Sequence, residues 1–426
     1  MSPDIGAERS EPMARESSAA DLPRIVERLR NATRRIAGRS PLQIAGVLSR
    51  VAASWLEPGS PWMSRAIDGL AEHGSFSRPM LEFGLPRMIA PVAGGGLEEL
   101  VRVELGSWEA LEQRRWPPVA LHILPSNLPG HAAISTCLPL LLRSAVLLKA
   151  GRDDRIFPPL WIESIGAIDT ELSDCAASLY WRGADHEIAD AALAEADLVV
   201  ASGGDSAVEN LRRRCTGRFI GHGHRVSFAV VCRDSADDAT AGLLAEDIAV
   251  WDQLGCLSPQ VCFVEGDPSH ASSFGEKLRA ALSQLSVILP PGRMSTAERM
   301  DVQRFRDAAE WRGFQRNARR LGIASDEFGS GSVAIEDEPA FEPTPLHRCV
   351  RIVPVARAEN AVDIVAPRRE VLEAAGLAAA SADRAGQLRD RLRAIGVHHV
   401  VAIGDMQRPT LAWQPGGRPR IAEWSL

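Results

Sequence analysis

From residue 119 onward the chain alternates short β-branched or leucine-rich runs with stretches of helical period, and no other feature limits the fold as tightly. The runs at 119–124, 145–149, 178–181, 198–201 and 226–232 are strand-length, and they predict strands. Between them, 130–142, 158–165, 187–196 and 205–214 carry apolar residues at helical spacing. Strands that alternate with helices of this length pair in parallel through βαβ crossovers, so 115–232 reads as a doubly wound sheet of the nucleotide-binding type. Any other doubly wound α/β domain fits that pattern equally well. A second series follows, with helices at 237–254, 269–285 and 295–321, strands at 260–264, 349–355 and 397–403, and an apolar edge at 421–424. The acidic, Gly/Pro-rich stretch 325–345 reads as a long connection.

Upstream, 1–20 is polar and aperiodic and reads as a disordered tail, while 21–114 alternates amphipathic helices with Gly/Pro breaks. At roughly 150 residues per domain, 426 residues suit about three domains or two large ones. The expected division is therefore 1–20, 21–114, 115–232 for the cofactor unit, 233–395 for the catalytic unit, and returning strands at 396–426.

Composition removes several classes of function. A net charge of −7 without a basic stripe argues against nucleic-acid binding, which depends on neutralising phosphates. The most apolar stretch, 132–148, is interrupted by Arg143 and falls short of a membrane span, and the first 21 residues hold no apolar signal core, so a cytoplasmic protein is expected. Seven cysteines without a CxxC pair fit neither a disulfide framework nor a zinc site. Any cysteine that matters here matters as a thiol. His222 and His224, two residues apart with no third ligand, do not make a metal site.

Cys256 follows Gly255 in a helix-to-strand turn, where a substrate can approach closely; the alternative is a buried small side chain, and Cys262 inside the next strand suits that alternative. Asn127 lies in the stretch Leu124-Pro-Ser-Asn-Leu-Pro-Gly130, where its side chain can cap the following helix or donate to an oxyanion. Lys149 ends a predicted strand ahead of Gly151 and Arg152, and Ser202-Gly203-Gly204 ends another, so both are places where backbone can approach a phosphate. Of the 48 lysines and arginines only Lys149 and Lys277 are lysine, which singles out Lys149.

Together these segments resemble the acyl-CoA reductases of the aldehyde dehydrogenase superfamily, typified by the reductase component of the bacterial luminescence fatty-acid reductase complex. The resemblance covers most of 90–426. It rests on Gly255-Cys-Leu-Ser-Pro-Gln260, on Val199-Val-Ala-Ser-Gly-Gly-Asp205, on Gly221-His-Gly-His-Arg-Val-Ser-Phe228, and on Gly404-Asp-Met-Gln-Arg-Pro409 followed by Trp413 and Gly416-Gly417. It implies an aldehyde dehydrogenase-like α/β fold, a Rossmann-type cofactor domain plus an α/β catalytic domain. It further implies that Cys256 is the nucleophile, that Asn127 and the Cys256 N–H form the oxyanion hole, that Lys149 touches the cofactor ribose, and that Ser202, Gly203 and Gly204 line the phosphate and nicotinamide region. Members that release free acids carry a glutamate base in the segment matching 221–225, and this chain has none. A thiol such as coenzyme A then suits the acyl-enzyme better than water. Arg152 stands where NAD-preferring relatives carry an acid, which implies NADPH. The implied reaction is reduction of an acyl-CoA or other acyl thioester to an aldehyde. A synthetase or thioesterase partner, a homo-oligomer, the opposite direction of CoA-acylating aldehyde oxidation and a non-catalytic partner role all stay open.

Overall fold

The computed structural model describes residues 13–315, 330–336 and 338–426. Its first half opens with β1 (Arg15–Glu16), α1 (Leu22–Ile36), α2 (Pro41–Leu56), α3 (Pro61–His73), α4 (Arg78–Ala93), α5 (Gly96–Leu105) and α6 (Trp108–Glu112). Serine followed by proline sets three of these starts: Ser40, Ser60 and Ser77 each accept an N–H of the first turn, with proline at its first or second position. Then come β2 (Val119–Ile123), α7 (His131–Leu141), β3 (Ala145–Lys149), α8 (Phe157–Gly166), α9 (Thr170–Ser173), β4 (Ala176–Tyr180), α10 (His186–Glu195), β5 (Leu198–Ser202), α11 (Asp205–Arg214) and β6 (Arg218–His222).

The first sheet has the order β1-β4-β3-β2-β5-β6 with every pair parallel. Helices α2 to α5, α7 and α8 pack over one face, and α1 with α10 covers the other. Because both faces are covered, β3 is buried almost throughout. Strand order reverses between β2 and β5, and open α/β sheets bind ligands beyond the carboxyl ends of the strands at such a point.

Residues 223–225 then lead directly into β7 (Val226–Val231), followed by α12 (Asp238–Ala249), β8 (Pro259–Glu265), α13 (Pro268–Ile288), α14 (Thr296–Gln315), β9 (Ser332–Ile335), β10 (Cys349–Val355), α15 (Asn360–Val365), β11 (Leu372–Ala378), α16 (Ala382–Ala394) and β12 (His399–Ala402). The second sheet runs β12-β11-β7-β8-β10-β9, again parallel throughout. Helices α12 and α13 pack on one face, α15 and α16 on the other. Every residue of β8 is buried.

Several expectations need correction. The 226–232 run, read as the last strand of the 115–232 unit, pairs with β8 and β11 in the second sheet, and β6, whose strand signal is weak, ends the first. Residues 1–20 were expected to be a free tail, yet within 13–20 Arg15–Glu16 extends the first sheet beside β4, and Ala14 exchanges a backbone bond with Arg155. The remainder of that tail, 1–12, lies outside the described residues, as does the end of the helix expected at 295–321. β9 interrupts the stretch read as connection. Among the described residues no helix is long and apolar enough to cross a membrane.

Candidate active site

Helix α12 ends at Ala249, earlier than its periodicity suggests, because the next residues turn the wrong way for a helix. Trp251, Asp252 and Gln253 have φ of 57°, 49° and 65°. Left-handed backbone costs a residue with a side chain about 1–2 kcal/mol, so such a run persists only where its surroundings hold it. The Trp251 N–H points at Met80 Sδ, 3.2 Å away, and its indole packs edge-on to Phe76 with centroids 5.2 Å apart. A Cβ on Gly84 of α4 would lie 2.3 Å from the indole, so glycine is what admits it. Gln253 donates from Nε2 to the carbonyls of Pro259 and Cys349 at 2.7 and 2.8 Å. The chain then passes Leu254 and Gly255 to Cys256.

Of the seven cysteines only Cys215 and Cys256 are not buried, and only Cys256 sits between the two units. Its carbonyl accepts the Ser227 hydroxyl at 2.6 Å, and that hydroxyl oxygen accepts the Ala374 N–H at 3.1 Å, which ties the loop to the starts of β7 and β11. Leu257, Ala374, Met406 and Trp413 form the apolar wall around it. Burial pushes the Cys256 thiol up to about 12; the Glu373 carboxyl pushes the same way, while the Arg420 and Arg225 guanidiniums pull against it.

The β2–α7 loop meets this turn from the other unit. Asn127 donates from Nδ2 to the Leu254 carbonyl at 2.6 Å, and the Leu128 side chain lies beside Gly255. Asn127 is not the helix cap: the cap position is Gly130, at φ 84°, and its side is closed by Leu85. An amide nitrogen carries two hydrogens, so Asn127 keeps one donor beyond its bond to Leu254.

Lys149 ends β3 half-buried, with its ammonium 5.6 Å from the ring centre of Tyr180, and desolvation lowers its pKa. Arg152 is exposed; its guanidinium reaches Asp153 at 3.3 Å and its N–H reaches Ser126 Oγ at 3.2 Å. Ser202 ends β5, and Gly204 begins α11. Gly203 and Gly204 have no positive φ, and a Cβ on either would meet only open space, so protein packing does not require glycine at these positions. That space lies beside the strand-order reversal and a helix N-terminus, and it suits the phosphates of a dinucleotide. Gly151 differs: a Cβ there would sit 2.7 Å from the Pro125 carbonyl, which glycine keeps close.

The structure also brings in residues that the sequence reading assigned no role. Glu373 is buried in the apolar β11, accepts the Gly416 N–H at 3.0 Å, and has its pKa raised by desolvation. An acid inside an otherwise apolar strand was its visible signal. Arg420 bonds the Trp413 carbonyl from Nε at 2.8 Å and stacks over the Trp413 ring, and burial lowers its pKa to about 10. Its backbone is clamped by Glu104 of α5, which accepts the N–H groups of Arg420, Ile421 and Ala422 at 2.6, 2.9 and 2.9 Å.

Two parallel sheets with a thiol turn seated where the carboxyl ends of one face the starts of the other define an aldehyde dehydrogenase-like fold. An NAD-dependent benzaldehyde dehydrogenase from Corynebacterium glutamicum superposes with a TM-score of 0.71 at 14% identity, covering 94% of this chain and 93% of that one. An NADP-dependent glyceraldehyde-3-phosphate dehydrogenase from Bacillus halodurans, solved with NADP, gives 0.71 at 15% identity over 93% and 87%. The chain belongs to the acyl-CoA reductase (LuxC) family, whose model matches residues 39–417. It is similar to the long-chain acyl-protein thioester reductases of Vibrio harveyi and Aliivibrio fischeri, at 24% and 22% identity over 72% of this chain. The match spans 65% of the length of each of these relatives.

Proposed function

We propose that the protein reduces an acyl thioester to the aldehyde with NADPH, carrying the acyl group on Cys256. The observation that carries this reading is the placement of Cys256: a half-buried thiol in a turn pinned from both units, with the Asn127 amide bonded to the same turn at Leu254. In this reading the Cys256 sulfur, once deprotonated, attacks the thioester carbonyl carbon, the carbon–sulfur bond to the donor breaks, and the donor leaves as a thiol. Asn127 and the Cys256 N–H stabilise the oxyanion formed on the way. Lys149, Ser202, Gly203 and Gly204 would hold NADPH, with Arg152 free to turn from Asp153 to a 2′-phosphate. When bound, that cofactor supplies the hydride that converts the acyl group to the aldehyde. The segment 221–225 holds no acid, so it supplies no general base for water.

The names of the relatives support a thioester donor, either an acyl-CoA or an acyl group handed over on a protein. The test is intact-protein and peptide mass spectrometry after incubation with a panel of acyl-CoAs in the absence of NADPH. A single adduct on the Cys256 peptide, discharged as aldehyde when NADPH is added, is the expected result. No adduct, or an adduct on another cysteine, overturns the reading.

A further inference from the structure

We infer that Arg348 is a positioning residue for Cys256, acting through a buried ion pair with Asp252 that locks two left-handed turns against each other. The inference rests on the reading of Cys256 as the acyl-carrying thiol. The first turn is 251–253, directly ahead of Cys256. The second is Leu346, His347 and Arg348, with φ of 67°, 53° and 62°, directly ahead of β10. With Arg143, these two triplets are all the non-glycine residues of positive φ among those described, and they lie side by side.

One carboxylate and one guanidinium join them. Arg348 reaches Asp252 Oδ1 from Nε at 2.9 Å and from Nη2 at 2.7 Å, and Nη2 also donates to the Leu289 carbonyl at 2.9 Å. The other oxygen of Asp252 accepts the Gly292 N–H at 2.9 Å. The two side chains are 1% and 8% exposed. Gln253 repeats the link from the next position, binding the Cys349 carbonyl at the start of β10, next to the second turn, and Pro259 beyond Cys256.

One backbone bond closes each turn, Leu254 N–H to the Trp251 carbonyl at 2.9 Å and Cys349 N–H to the Leu346 carbonyl at 3.1 Å, whereas the link between the two turns comes from the side chains of Asp252, Gln253 and Arg348, and the residues it fixes lie three and four places before Cys256. A small recess lined by Ser75, Leu254, Met294 and His347 adjoins the pair. The Arg348 side chain is buried, and it meets the loop of Cys256 through this turn. Its contribution is therefore to the geometry of Cys256 relative to the Asn127 amide, which is bonded to the same turn at Leu254. A buried ion pair is seldom the most stable filling for a core site, and geometric specificity is its best-attested use.

The test is the charge-neutral double variant Arg348→Met/Asp252→Asn in the full chain, which leaves no unpaired buried charge and so separates positioning from collapse. Arg348→Lys, which keeps the charge and loses the fork, serves as the graded control. Two rates are read on the Cys256 peptide by mass spectrometry: acylation by an acyl-CoA and alkylation by iodoacetamide. Acylation is expected to fall at least tenfold in the double variant and less in Arg348→Lys, while alkylation, which needs no oxyanion site, rises as the turn loosens. A folded double variant whose Cys256 acylates at the wild-type rate overturns the inference, as does a parallel fall of both rates. If wild-type Cys256 takes no acyl group from any donor, the thioester reading fails instead, and alkylation rates identical across the three proteins would still refute the positioning role.

Discussion

A thiol held near 12 makes a sharp kinetic prediction for the free enzyme. At pH 7 the thiolate fraction of Cys256 would be roughly 10⁻⁵, against about 3% for an ordinary cysteine of pKa near 8.5, so alkylation is slower by about three orders of magnitude. Because only the thiolate reacts, the alkylation rate should climb close to tenfold per pH unit from 6 to 9.5, with no plateau. The perturbations that sort the causes are Glu373→Gln, which removes a repelling carboxylate and should speed the reaction, and Arg420→Gln, which removes an attracting guanidinium and should slow it. Both leave the first cause, burial, in place, so neither should restore an ordinary thiol. The assay is peptide-resolved iodoacetamide labelling at fixed ionic strength. A plateau at or below pH 8 in the wild type would refute the account. So would a pair of variants that move the rate in the same direction.

Three further outcomes follow from other parts of the structure. Asn127→Ala should lower kcat about 10²- to 10³-fold as an oxyanion donor is lost, with an almost unchanged melting temperature because Gly130 holds the cap position; a lower melting temperature with unchanged kcat would reverse the assignment. His122, buried with its pKa lowered to about 3 mainly by desolvation, stays neutral in the fold while the unfolded chain takes up a proton below about 6.5. Stability is therefore lost as pH falls through that window, by about 2 kcal/mol at pH 5 for this group, and His122→Phe should make the fall of the urea midpoint shallower while the buried His131, His222 and His399, each lowered to about 4, keep their shares, an unchanged slope counting against it. Arg152→Glu should shift the ratio of kcat/KM for NADPH and NADH toward NADH, and a constant ratio would remove Arg152 from cofactor choice.

The alternation of strands and helices was legible because parallel strands buried on both faces must be apolar, as 145–148 and 261–264 are. The sheet to which a strand belongs was not legible, since Val226–Val231 carries the same pattern whichever neighbours it pairs with. Gly255-Cys256 announced the thiol turn through glycine beside a reactive side chain. The lock behind it did not announce itself, because Asp252 and Arg348 are 96 residues apart and each reads singly as a surface charge. Glu373 and Arg420 were missed for a related reason: their meaning comes from the field they make at one sulfur, and that field exists only once β11 and the segment 413–420 are folded beside it.

Glu104 waits a long time for its partners. The three N–H groups it binds belong to residues 420–422, and the closest of them in sequence is 316 positions further along the chain. At 5–20 residues per second that separation is about 15–60 s of synthesis, during which the first sheet and its helices can already be folded. Cys256 is made part-way through that interval, and for the 164 residues from it to Arg420, about 8–33 s, the wall containing Trp413 and the guanidinium of Arg420 does not yet exist beside it. Vectorial synthesis thus imposes an order: the first sheet, then the turn that carries Cys256, and last the strap that encloses its thiol. A ribosome that stalls before residue 413 would display Cys256 without Trp413 and Arg420 beside it, leaving its sulfur open to modification that the finished fold hinders.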